Sequence, residues 1–150
     1  MFGIDKQTQR QLRTLERQLA KAPRIKPCSS TAWVNEIPST PGVYAIWEAR
    51  SRKLVYVGET SSLKKRMRDL GRYPNHVARR KIASRCGLGA MDEEQISLRL
   101  SKNYRVSYLP VVFGRKEFEE YLTFRGRTTL LNSPSPRAHD VARFSWIARD

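Results

Sequence analysis

The spacing of apolar positions divides the chain into segments of different period. Leu12, Leu15 and Leu19 recur at i, i+3 and i+7, with Arg10, Arg13, Glu16, Arg17 and Lys21 on the faces between them. This predicts an amphipathic helix over 5–22, ended by Pro23 and lying on the domain surface with a thin apolar stripe. Residues 23–41 interrupt the period with Pro23, Pro27, Pro38 and Pro41 among serines and threonines. They form an irregular connector, which Trp33 and Val34 are expected to pin to the core.

The pattern then changes. GVYAIWEA (42–49) and KLVYVGET (53–60) are rich in β-branched and aromatic residues and are parted by Arg50, Ser51 and Arg52, the signal of a β-hairpin. SSLKKRMRDL (61–70) opens with serines suited to an N-cap and continues with good helix formers. Two more helices are expected over 76–85 and 91–101, separated by CGLG. The second begins MDEEQ, with acids in the first turn where the helix dipole favours them. YRVSYLPVVF (104–113) reads as a third strand, with Pro110 marking an edge position or an end. RKEFEEYLTF (115–124) is the last helix, closed by Gly126, and LLN (130–132) with the proline-punctuated residues after it is loop. The tail DVARFSWIARD fits strand and helix equally, and there is no internal repeat. The expected class is α/β (α+β), a small three-stranded antiparallel sheet flanked by helices over 41–132. An N-terminal helix and connector (1–40) precede it and a tail (133–150) follows.

A chain of 150 residues with 39% hydrophobic residues, including three Trp, six Tyr and five Phe, can bury a core without staples. No stretch approaches the roughly 20 apolar residues of a membrane helix. MFGIDKQTQRQLRTL lacks the apolar run of a secretory signal, so a cytoplasmic location is expected. Cys28 and Cys86 stand alone, outside any C-x-x-C pair, and with only His76 and His139 they make a poor zinc set. They read as two reduced thiols.

Charge alters the picture more than composition does. Twenty-nine Lys and Arg against 14 Asp and Glu give +15, which makes a polyanion the first partner to expect. Residues 61–85 carry Lys64, Lys65, Arg66, Arg68, Arg72, Arg79, Arg80, Lys81 and Arg85 against the single acid Asp69. Ion pairs within the segment cannot neutralise such a run. Lys64, Lys65, Arg68, Arg72, Arg79 and Arg80 are therefore expected to line a DNA backbone, Arg68 and Arg72 sharing one helix face. Arg125, Arg127, Arg137, Arg143 and Arg149 could extend that track.

Four features follow in order: Gly42-Val43-Tyr44, Tyr56-Val57-Gly58, Arg66, and a glutamate-bearing helix trailed by Asn132. A hairpin can set the two phenols close together. An isolated strand tyrosine is usually a packing residue with a wet hydroxyl, and the signal lies in the ordered set. G-V-Y, Y-V-G on the next strand and L-x-x-R in the following helix resemble the GIY-YIG nuclease superfamily. The match is close in YVGETSSLKKR, where the arginine falls eight residues after the glycine, and it extends to FEEYL and LLN. It covers about 41–132.

The resemblance implies a Mg²⁺- or Mn²⁺-dependent endonuclease that hydrolyses phosphodiester bonds in DNA. Under it Tyr44 is general base or proton relay, and Tyr56 is its hydrogen-bonding partner or the alternative base. Arg66 offers a fork of donors to the phosphate, and a glutamate holds the metal. Glu119 is preferred as that ligand, flanked by Phe118 and Leu122, although Asn132 then falls at +13. Glu120 is the alternative, with the commoner +12 spacing and a poorer hydrophobic phase. Asn132 is expected to tie its loop to the site by hydrogen bonds.

Two positions depart from the family pattern: Leu70 stands where many members carry His or Tyr, and Glu59 where many carry Lys or a small residue. Tyr73 and His76 are candidates for the missing aromatic, against plainer roles in packing and helix capping. Two rival functions remain open at this point. One is a nucleic-acid-binding module that kept the fold and lost turnover; the other is a basic interaction protein without a nuclease site.

Overall fold

The computed structural model describes residues 4–89, 92–126, 129–132 and 146–147. Three strands form one antiparallel sheet in the order β2-β1-β3, with β1 at Gly42–Glu48, β2 at Leu54–Thr60 and β3 at Tyr104–Pro110. Among the described residues five α-helices surround it: α1 (Lys6–Lys21), α2 (Leu63–Arg72), α3 (Val77–Arg85), α4 (Glu93–Asn103) and α5 (Arg115–Arg125). The architecture is α+β, as the alternation of short strand-like runs and helical periods predicts. Among the described residues no helix is long and apolar enough to cross a membrane.

Strand parity sorts the core into two layers. Tyr44, Ile46, Tyr56 and Val106 belong to one buried cluster with Leu63, Met67 and Leu70 of α2, Ile82 of α3, and Ile96 and Leu100 of α4. Val43, Ala45 and Val57 belong to the other, with Leu12 and Leu19 of α1 and Phe118, Tyr121 and Leu122 of α5. Leu63, Met67 and Leu70 are fully buried. Each such side chain contributes about 1.5–3 kcal/mol, which clamps α2 to the sheet. The thin leucine stripe of α1 does what its pattern implies, and Val34 and Ile37 root the connector in the first cluster. Trp146 and Ile147 pack on the second cluster; the rest of the tail, with Arg137, His139, Arg143 and Arg149, lies outside the described residues, as does Arg127.

Both sheet edges are closed, which removes templates for unwanted strand pairing. On the β3 side Ile25 of the connector exchanges two hydrogen bonds with Val106, at 2.7 and 2.8 Å. On the β2 side the Leu131 N–H donates to the Val55 carbonyl at 2.8 Å. Strand β3 ends at Pro110, three residues before the expected boundary. The Val111 N–H turns to the Pro41 carbonyl, leaving Val112 and Phe113 exposed. Helix α2 starts where its serines imply, with Ser62 accepting from the Lys65 N–H.

Candidate active site

Tyr44 lies directly opposite Gly58 in the β1–β2 register. A Cβ at 58 would overlap Cζ and Oη of Tyr44, so the glycine is what allows the phenol to cross over β2. Gly42 is also held to glycine: a Cβ there would come within 2.5 Å of the Leu109 carbonyl oxygen and 2.7 Å of Leu63 Cδ1. Bulk at 42 would push away both β3 and the start of α2. The two glycines of the motif thus serve close approach, Gly58 of a ring and Gly42 of a neighbouring strand and a helix.

Tyr44 is 1% exposed. Its ring stacks near Tyr56, with centroids 6.2 Å apart and planes inclined by 28°, and meets the edge of His76 at 6.1 Å. His76 takes the place beside Tyr44 for which Leu70 is no substitute, since Leu70 is buried in the core. His76 also caps α3, its Nδ1 accepting from the Ala78 N–H at 3.2 Å, so one residue both caps the helix and packs against the Tyr44 ring. Tyr73 stays outside the cluster, 59% exposed.

Arg66 sits on the second turn of α2 and, among the described residues, forms no ion pair. Its charge is felt by every titratable member of the group. Burial pushes the Tyr44 phenol far above its ordinary range and Tyr56 adds to the rise, while Arg66 opposes it by charge and hydrogen bonding. Tyr56 is raised by burial and by Glu119, against Arg66 and a hydrogen bond from Tyr44. His76 is driven down to about 3, first by burial and then by Arg66. Glu119 is lifted to about 7 by burial and then by Glu59, with Arg66 again opposing. One cation therefore faces two neutral phenols, a neutral imidazole and a carboxyl that titrates near neutrality.

Glu119 and Asn132 reach this cluster from the outer edge of β2. Glu119 Oε2 accepts the Glu59 N–H at 3.1 Å. The Asn132 amide completes the edge, accepting from the Val57 N–H at 3.0 Å and donating to the Val57 carbonyl at 2.7 Å. Lys81 Nζ donates to the Leu131 carbonyl at 2.9 Å, steadying the same segment. The expected tethering role of Asn132 is what the geometry displays. Of the two glutamates weighed as metal ligand, Glu119 is the one that joins the tyrosines and Arg66; Glu120 acts on it only as a further negative charge.

Among the described residues no three His, Cys, Asp or Glu side chains stand together as a ready-made metal cage. Glu59 is already engaged by Arg115 at 2.8 Å. Beside the tyrosines, Glu119 is in no ion pair among the described residues. That donor set fits a hard divalent cation held through one carboxylate, with waters and phosphate oxygens as its other ligands. A cavity of about 760 Å³ between α1, α5 and the turn end of the hairpin lies away from these residues.

The basic run divides in two. Lys64, Lys65, Arg68, Arg72 and Arg80 make no ion pair among the described residues, and all but the half-buried Lys64 are exposed. Arg79 corrects the expectation that it lines a backbone: it is 1% exposed, with its guanidinium pointed inward. It pairs with Glu93 at 2.8 Å and donates to the carbonyls of Leu70 and Gly71 at 3.2 Å and to Ser97 Oγ at 2.8 Å. A buried cation with all its donors used cannot meet a phosphate. Sequence reasoning also treated Glu59 only as a departure. Its odd position in β2 points its side chain away from the tyrosines, toward the basic first turn of α5, and that parity was the readable signal. No family model, curated protein or solved structure matches the chain.

Proposed function

We propose that this chain is a cytoplasmic GIY-YIG-type endonuclease that hydrolyses phosphodiester bonds in DNA with Mg²⁺ or Mn²⁺. The observation that carries the reading is Arg66: a cation with no ion-pair partner among the described residues, set against two buried phenols and a carboxyl lifted to about 7. A guanidinium so placed needs an anion, and a phosphodiester supplies one whose charge grows in the transition state. The unpaired cations of α2 and Arg80 would hold the flanking phosphates. Two free thiols suit a reducing compartment.

Roles for the side chains follow from their protonation. Tyr44 and Tyr56 both hold their protons in the resting protein. A neutral phenol passes a proton along its hydrogen bond, so Tyr44 is better suited to relay than to act as a resting base. Tyr56, hydrogen-bonded to Tyr44, orients it and extends the relay toward solvent. Arg66 binds the scissile phosphate and orients it for attack. Glu119 would hold the divalent cation, which when bound supplies positive charge beside the phosphoryl and leaving oxygens. His76 stays neutral and packs the Tyr44 ring in place.

Nicking of supercoiled plasmid, with and without Mg²⁺ or Mn²⁺, tests the proposal. Metal-dependent conversion to open circle is expected, and its absence across both metals overturns the enzymatic reading. Salt-sensitive DNA binding without nicking would leave the second reading, a binding module on the same fold. The fully buried Leu70, which puts no polar group four residues beyond Arg66, is the observation that favours it.

A further inference from the structure

At the C-terminal end of α2 a shallow cleft of about 340 Å³ is lined by Arg68, Asp69, Arg72, Tyr73 and Pro74. Its volume falls in the range of small-ligand sites, roughly 300–1,000 Å³. Tyr73 is the C-cap residue of α2, and its ring is 59% exposed although most large apolar side chains of the domain are buried. Pro74 stiffens the backbone beyond it. Arg68 and Arg72 are exposed and, like Asp69, make no side-chain hydrogen bond or ion pair among the described residues. The cleft thus offers a flat aromatic surface, two unengaged cations and one unengaged acceptor. These are the parts that hold a nucleotide: a ring for the base to stack on, guanidinium groups for its phosphates, and a carboxylate for an exocyclic amino group.

We infer that this cleft is a subsite for one unstacked nucleobase, and that the substrate class is DNA carrying an unpaired or extruded nucleotide near the cleavage point. The inference rests on the nuclease reading above for its second half alone. A base inside an intact duplex keeps both faces stacked and cannot reach a side chain on a helix cap, so the cleft selects DNA that is open there. Seven residues of helix separate Arg66 from Tyr73, a rise of about 10 Å. At about 3.4 Å per nucleotide along a stacked strand, the bound base lies about three nucleotides from the phosphate on Arg66.

The test uses three fluorescein-labelled probes of one sequence in EDTA: a fully paired duplex, the same duplex with a single bulged 2-aminopurine, and the 2-aminopurine single strand. Full-length protein is expected to bind the bulged duplex more tightly than the paired one and to quench its 2-aminopurine emission. Tyr73→Ala should weaken bulged-duplex binding by about 5- to 150-fold, abolish the quenching, and change paired-duplex binding by less than about twofold. Tyr73→Trp should restore both signals. An unchanged affinity of Tyr73→Ala for the bulged probe, or an equal loss on both duplexes, overturns the subsite, as does failure of the protein to bind any probe. Cleavage is silent under these conditions. Tyr73-dependent bulge binding by a chain that nicks nothing therefore upholds the subsite and sinks the nuclease, and the reverse result sinks the subsite alone.

Discussion

Helix α2 turns Lys65, Arg68 and Arg72 to solvent without carboxylate partners among the described residues, whereas α3, the next helix in the chain, sinks Arg79 into the core and binds it to Glu93. Both helices belong to one basic stretch whose single acid is Asp69, and their arginines look alike in the sequence. The difference lies in what surrounds them after folding. The Arg79 guanidinium ties the last carbonyls of α2, at Leu70 and Gly71, to the first turn of α4. It therefore holds the helix that presents Arg66, while the exposed arginines are left available for a ligand. One cation of the run is thus spent on holding helices together, and the exposed ones are not.

The largest effect expected from breaking this contrast is on folding. Arg79→Ala leaves two helix carbonyls without donors and Glu93 without its partner, and should cost about 3–5 kcal/mol. In a chain of 150 residues that lowers Tm by on the order of 10 °C, whereas Arg72→Ala should change stability by less than about 0.5 kcal/mol. Equal Tm values for the two variants in thermal melts would erase the distinction between the helices.

Arg66→Ala should act in the opposite sense, leaving the melt nearly unchanged and lowering plasmid nicking by about 10²- to 10³-fold. Near-parental nicking by this variant would remove Arg66 from the chemistry.

Glu119 adds a smaller effect that depends on pH. Its carboxyl is raised to about 7 in the folded chain, by burial and then by Glu59, from 4.5 in the unfolded one. Between these values the folded state holds a proton that the unfolded state has lost, so this group's contribution to stability falls as pH climbs through the window. Glu119→Gln has no such titration and should become the more stable of the two above pH 7 in EDTA. His76, depressed to about 3, has the opposite slope below about 6.5, but it is present in both proteins and cancels in the difference. A stability difference that does not vary with pH would contradict the buried setting of Glu119.

The smallest change in free energy is expected from the exposed cations. Lys65→Ala with Arg80→Ala should flatten the plot of log K against log salt for duplex DNA by roughly 1–2 units. The fold should shift by less than about 0.5 kcal/mol. An unaltered slope would place the DNA path elsewhere on the surface.

Much of this architecture was readable because it is local. The hairpin, the Ser62 cap and the close of α5 at Gly126 each depend on a few neighbouring residues, whereas β3 stops three residues before the boundary its apolar run implies. The tyrosine pair was readable from strand parity, which puts Tyr44 and Tyr56 on one face. Arg79 was not readable, because its environment is assembled from α2, α3 and α4, and no helical period announces that a cation faces inward. That Glu119 rather than Glu120 lies near Tyr56 and Arg66 was readable from helix phase. Its hydrogen bond to the Glu59 amide was not, since that depends on which strand lies at the sheet edge.

That edge bond has a consequence for how such a site can change over generations. Glu119 is at once the candidate cation ligand and the acceptor that satisfies a backbone amide of β2. A lineage that abandoned cleavage would still be selected to keep an oxygen at this position, because an apolar replacement would orphan the amide. Glutamine satisfies the strand and gives up the charge. Substitution to glutamine at 119 is thus the mark that loss of the proposed cation site would be expected to leave, whereas glutamate accepts from the amide and, under the proposed function, would also hold the cation.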